Sequence, residues 1–183
     1  MILHNKKGIL YLAILCSIIG TLFIYHNYKG QIKFFFHKPD LIHWTKDVTL
    51  TLSDFTGEIN QNSSSKYSSF IGFYLYSPDL KDAHAKAYFH KKKSWIRDTS
   101  NFSTEMKFQR LRFDLYEYYA RKFNAEIDKI KLDRTKSYND LQAIGDIIYK
   151  EVKLVDDSIY YATNKLEIRK RWRDKLNAEL DLK

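Results

Sequence analysis

The spacing of hydrophobic positions changes twice along the chain, and each regime predicts a different kind of element. From Gly8 to Tyr25 there is no charged residue. These roughly 18 residues approach the ~20 that cross a bilayer core as a helix. Tyr25 and Tyr28 stand where aromatic rings meet the headgroups. Residues 1–25 therefore read as an uncleaved transmembrane anchor. A cleaved signal peptide would share the positive start, Lys6 and Lys7, but no small-x-small site closes the run. A lipoprotein signal would use Cys16, yet Leu15 precedes it where that signal takes a small residue. Lys6 and Lys7 before the span are matched by Lys29, Lys33 and Lys38 after it, so charge does not set the orientation.

Residues 26–40 follow as a basic, aromatic linker carrying Tyr28, Phe34, Phe35 and Phe36 and ending at Pro39. Lying beside the membrane, such a segment is suited to rest on headgroups. Beyond it the spacing turns strand-like. Val48–Leu52 alternates, Tyr67–Tyr76 is aromatic and bounded by the polar run Asn62–Ser65 and by Pro78, and Ala83–His90 alternates more weakly. From about Ser103 the period becomes helical. Phe108, Leu111, Leu115, Tyr119, Phe123, Ile127 and Ile130 recur at steps of three and four, the stripe of a long helix. A second helix is expected over Tyr138–Lys153, and a third with Ile168, Trp172, Leu176 and Leu180 on one face. Strands first and helices after predict an α+β domain over residues 41–183, with a small N-terminal sheet and about three C-terminal helices.

Composition adds charge to this picture. The 183 residues include 31 Lys and Arg against 22 Asp and Glu, a formal +9. The anchor holds only two of the lysines, so +7 remains on the rest. Lys91–Lys93 and the Arg169–Arg173 run around Trp172 interleave cations with aromatics, a pattern shared with nucleic-acid binders. Yet Lys170 can pair with Asp174 and Lys175 with Glu179, which reads as a solvated helix face. The lysine triad reads as a loop. Nucleic acid is not favoured, and anionic lipid would suit these lysines if the domain faced the cytoplasm.

Candidate chemistry is sparse. There is no glycine-rich phosphate loop, no GxSxG elbow and no HExxH motif, and the single cysteine lies inside the anchor. The histidines, His4, His26, His37, His43, His84 and His90, all precede the long helices, so a two-histidine helical metal site is excluded. His84 and His90 fall on one face of a strand. Lacking a third ligand, they read as exposed strand histidines.

Four short segments carry a resemblance: Leu50-Thr-Leu-Ser-Asp-Phe-Thr-Gly57; Ala87-Tyr-Phe89 with Ser94-Trp95; Phe113-Asp-Leu-Tyr-Glu-Tyr-Tyr-Ala-Arg121; and Trp172. In order and spacing they resemble an uncharacterised bacterial family of secreted zinc-dependent protease-like proteins over residues 41–183. That family reads Leu-Thr-Trp-x-Asp-Phe, then Ser-Trp, then His-Glu-x-x-His-Phe-Asp continuing into Glu-x-Tyr-Ala-Arg. Aligned on Phe113-Asp114, its first histidine falls at Phe108, its glutamate at Gln109 and its second histidine at Arg112. Leu52 replaces the tryptophan, and the third histidine has no counterpart.

An HExxH helix works because two imidazoles at i and i+4 bind zinc while the glutamate takes the proton of the metal-bound water. Phe108 cannot ligate, Gln109 cannot act as base, and Arg112 places a permanent cation where a metal would sit. The resemblance thus implies a degenerate metallopeptidase-like domain without metal, cofactor or catalytic residues. Phe108, Gln109, Arg112, Asp114 and Glu117 are its site positions. In one reading Phe108 fills the site as core, while Asp114, Glu117 and Arg121 support the fold. In the other, Lys107, Arg110 and Arg112 form a cationic mouth for a peptide carboxylate or other anion. The resulting expectation is a single-pass membrane protein with an extracytoplasmic domain that binds a protein or anionic partner. The alternatives are a metal-dependent hydrolase with an atypical site and a basic module for lipid or nucleic acid.

Overall fold

A computed structural model of the chain describes residues 2–77, 81–132 and 137–182. It divides into two units, Met1–Asp40 and Leu41–Lys183. The first is the helix α1 (Ile2–His37) and a 3-10 turn, Lys38–Asp40. Within α1, Gly8–His26 is long and apolar enough to cross a membrane, with mean hydropathy 2.2 and none of it buried. The expected linker is therefore helical as far as His37. The first proline, Pro39, lies in the turn that follows, where its missing N–H and fixed φ suit a helix stop.

The second unit is α+β. Its elements are β1 (Leu41–His43), β2 (Tyr67–Ser68), β3 (Ile71–Tyr76), β4 (His84–His90), β5 (Trp95–Ile96), α2 (Phe102–Leu132), α3 (Tyr138–Tyr161) and α4 (Lys165–Glu179). An antiparallel sheet runs β1-β4-β3, with Ile42 opposite Phe89 and Phe73 opposite Ala87. β2 and β5 form a separate antiparallel pair, Tyr67 opposite Ile96. Ala85, Ala87 and Phe89 bury one face of β4, against which α2 packs. All seven stripe residues of α2, from Phe108 to Ile130, are buried. So are Gln109, Phe113, Asp114, Tyr116 and Ala120, because α3 and α4 cover further faces of the helix.

Three expectations need correction. Val48–Leu52 is not a strand: it is irregular up to a 3-10 turn at Leu52–Asp54. The reason is long-range, since the carbonyls of Thr45, Lys46 and Val48 accept from the Arg110 guanidinium of α2 rather than from a neighbouring strand. The run Tyr67–Tyr76 is broken between β2 and β3. There the buried Ser94 hydroxyl accepts from Phe70 N at 2.9 Å and donates to His90 O at 2.8 Å, bridging the break. Finally, α3 runs on past Lys153 to Tyr161, with Ile148, Val152 and Ile159 buried along it. Its start is fixed by Asp140, whose carboxylate accepts from Ser137 N at 2.8 Å and Ser137 Oγ at 2.9 Å, a capping arrangement.

Candidate functional site: the substituted helix face of α2

Phe108 is core. It is 6% exposed, its ring centroid lies 5.7 Å from that of Tyr160, and the Arg169 guanidinium sits 3.9 Å over its face. Gln109 is fully buried and occupied at both ends: its Oε1 accepts from Ser69 and, at 3.1 Å, from Arg112, while its Nε2 donates to Glu105. Arg112 makes a two-pronged pair with Asp156 of α3, Nε to Oδ1 at 2.7 Å and Nη2 to Oδ2 at 2.8 Å. Its Nη1 also donates to Ser69 Oγ at 2.6 Å. Burial pulls the guanidinium towards deprotonation, but the hydrogen bonds and charge of Asp156 outweigh it and hold Arg112 above its ordinary pKa. Tyr116 completes the group by donating to Asp156 at 3.2 Å, and burial together with that carboxylate pushes the phenol up. Tyr67 bonds Glu105 and Tyr160 and is raised by burial and by the Glu105 charge.

Asp114 organises the opposite side of α2. Fully buried, it accepts from Trp44 Nε1 at 2.8 Å, Arg110 Nε at 2.8 Å and Arg173 Nη1 at 2.6 Å. Trp44 directly follows β1 and Arg173 comes from α4, so this carboxylate ties both ends of the domain to the central helix. Glu117 is half-buried, which raises its pKa; Arg121 Nε at 3.0 Å and the Ala87 backbone oppose that shift.

One sequence reading placed Lys107, Arg110 and Arg112 in one mouth; the structure keeps Lys107 and Arg110 together and sets Arg112 apart. A cavity of about 780 Å³ is lined by Lys46, Leu50, Arg110, Asp114, Arg173 and Asn177. Beside it, Lys107, Arg110 and Arg173 share a cavity of about 560 Å³. Over Phe108 lies a third, of about 220 Å³, lined by Thr104, Lys107, Phe108, Leu111, Arg169 and Arg173. Arg112 opens instead into a cavity of about 310 Å³ with Tyr67, Ser69, Asp156 and Tyr160, and its charge is already matched there. Arg112 stands two residues from Arg110, about 200° around the helix. Arg169 and Arg173 take its place in the cationic surface.

The α4 cations divide: Lys170, Arg171 and Lys175 are exposed, as expected of a solvated face, whereas Arg169 and Arg173 are half-buried. Lys170 does pair with Asp174 at 3.1 Å, but Lys175 lies over Tyr118 and Trp172, at 4.7 and 4.8 Å. Arg169 and Arg173 turn inward. One signal could have found them: neither has an acidic residue three or four positions away, whereas Lys170 has Asp174. Asp156 escaped notice because it is a polar residue on the buried stripe of α3. The Lys91–Lys93 triad forms a 3-10 turn, with Lys91 3.5 Å from Asp54 and Lys93 over the Phe70 ring.

The histidine reading also changes. His84 is exposed, but His90 is only 3% exposed and packs edge-on against Phe70. Six strand steps separate the two by about 20 Å, far beyond a shared metal. Among the described residues no three His, Cys, Asp or Glu side chains come together as a ligand set. Nor do the α2 positions fit a zinc ion: one is a packed aromatic, one a neutral amide with both ends engaged, and one a cation paired with its own carboxylate.

Two of the resembling segments meet in the fold. Gly57 N donates to Ser94 O at 2.8 Å, and Phe55 packs on Phe89 with ring centroids 5.0 Å apart. Compared with protein-family models, with curated proteins and with solved structures, the chain gives no match to any of them.

Proposed function

We propose that this is a single-pass membrane protein whose extracytoplasmic domain is a non-catalytic, protease-like module that binds an acidic segment of a partner protein. The observation that carries the reading is the cationic groove between α2 and α4. Lys107, Arg110, Arg169 and Arg173 line three adjoining cavities there, and Asp114, shared by two of the arginines, stands in the largest together with Asp47 and Asp181. In the largest cavity Lys46, Arg110 and Arg173 are balanced by Asp47, Asp114 and Asp181, so the positive excess lies in the two smaller ones, whose linings hold Lys107, Arg110, Arg169 and Arg173 and no acidic residue; charge-assisted contacts to arginine are the stronger kind. The protease-like origin rests on the four resembling segments, and the lack of catalysis on the groups now standing at the HExxH positions. Gly8–His26 supplies the anchor.

The test is a titration of a fluorescent acidic peptide into the full chain in detergent at two salt concentrations. Binding should weaken with salt and fall on Arg173→Gln, since screening acts on exposed charge. Salt-independent binding, or none, would refute the reading. For topology, Cys16 is the only native cysteine and lies in the anchor, so Cys16→Ser with a single cysteine at exposed Ser100 should label from outside intact cells. Labelling only after lysis would place the domain on the other side.

A further inference from the structure

Across α2 from the cationic groove lies the cavity of about 310 Å³ into which Arg112 opens. Its charges cancel. Arg112 is paired with Asp156 at 2.7 and 2.8 Å and Lys153 with Asp157 at 2.7 Å, two cations on two carboxylates. An anion entering here would meet both acids and a cation both bases, so the ligand chemistry that fits is neutral.

The rest of the lining supplies hydroxyls, an amide and an open ring. Asn60, Ser63 and Ser65 come from the polar loop before β2, Ser68 from β2 itself, and Tyr161 from the last turn of α3. Arg97 staples the loop, with Nη1 donating to Ser63 O at 2.9 Å and Nη2 to Asn60 O at 2.6 Å, so these groups are placed before any ligand arrives. Among the described residues the Ser65, Ser68 and Tyr161 hydroxyls have no hydrogen-bond partner, and Asp157 keeps its second oxygen once Lys153 is bound. The neighbouring Tyr160 packs on Phe108, but Tyr161 is 76% exposed, its ring standing in water beside the cavity it lines.

We infer, independently of the acidic-partner reading, that this cavity binds a neutral saccharide unit, its hydroxyls on Asp157, Ser65 and Ser68 and one C–H face on the Tyr161 ring. A sugar carries hydroxyls around its rim and C–H groups on its faces, which matches polar groups on one side and an exposed aromatic on the other. Each sugar hydroxyl can both donate and accept, so it satisfies a carboxylate and a serine alike. An apolar side chain in the same place would take those groups out of water without replacing their hydrogen bonds. The volume is at the lower end for small-molecule sites, which suits a single sugar unit.

The experiment uses the full chain in a sugar-free zwitterionic detergent and the neutral trisaccharides of glucose, mannose and N-acetylglucosamine, with binding read by saturation-transfer NMR. At least one should bind, with transfer strongest to the C–H groups of one ring face and with an affinity unchanged by salt, since no charge on the ligand is there to be screened. Tyr161→Ala should weaken that binding about tenfold, the scale of one aromatic contact, and Tyr161→Trp should retain it. The acidic peptide should bind Tyr161→Ala as it binds the native chain, which shows the variant folded. Absence of transfer to all of these sugars would overturn the inference, as would transfer that survives Tyr161→Ala undiminished. Displacement of the bound sugar by inorganic phosphate would show that the cavity takes anions and would overturn it as well.

Discussion

At Asp114 a single buried carboxylate satisfies an indole and two guanidiniums, so its removal strands three donors at once. Breaking a buried pair by deleting one partner costs about 3–5 kcal/mol, because the remaining charge stays out of water. Asp114→Ala should lose stability on that scale in chemical unfolding of the full chain, whereas Lys129→Ala, at an exposed pair with Glu126, should fall below about 1 kcal/mol. The Arg112–Asp156 pair makes a sharper case. Arg112→Met alone leaves Asp156 buried without its cation and should be strongly destabilising, but Arg112→Met with Asp156→Leu should recover most of the loss. If the double replacement were as unstable as the single, the pair would hold more than its own two charges. Phe108→Ala should cost about 3–5 kcal/mol as a core truncation. A value near zero would mean that the ring is not packed as core.

Among the elements, α2 was the most legible from sequence and the segment before it the least. The period of its apolar residues alone identified seven buried positions. Periodicity could not reveal Gln109, Asp114 or Asp156, which are buried because distant residues satisfy them, Ser69 for the first, Trp44 and Arg173 for the second, Arg112 and Tyr116 for the third. The same long-range logic defeated Val48–Leu52, where alternation suggested a strand but Arg110 took the backbone carbonyls. The candidate site was half legible: the replaced positions were found, but the cationic surface is assembled by α4, whose arginines read as solvated until their lack of local acidic partners is considered.

The contact between the Leu50–Gly57 segment and the Lys91–Ser94 turn can be tested at Gly57. A Cβ built there would stand 2.7 Å from Lys92 O and 2.8 Å from Ser94 O, both backbone atoms. Gly57→Ala should therefore destabilise by about 1–3 kcal/mol as an overpacking change. An unperturbed unfolding midpoint would show that the segment does not dock as closely as described.

For the molecule as a whole, pH dependence follows from its buried phenols. Tyr67 and Tyr116 are both raised above the ordinary value of 10.0, by burial first and by Glu105 or Asp156 next. Above that pH the unfolded chain releases these protons while the folded domain keeps them, so the folded state binds more protons and loses stability as pH rises. Chemical unfolding should show a steady loss above about pH 10, partly relieved by Tyr67→Phe. A flat profile there would mean that these hydroxyls are solvated.

The charge of the whole chain acquires a location in the same way. Many of the lysines are neutralised in surface pairs, but Arg169, Arg173, Arg110 and Lys107 gather along one groove. The most direct measurement is to titrate the full chain with the fluorescent acidic peptide and recover the peptide by mass spectrometry. A non-catalytic binder should return the peptide intact, with affinity that falls with salt and with Arg173→Gln. Recovery of cleaved peptide, or binding indifferent to both salt and Arg173, would contradict it.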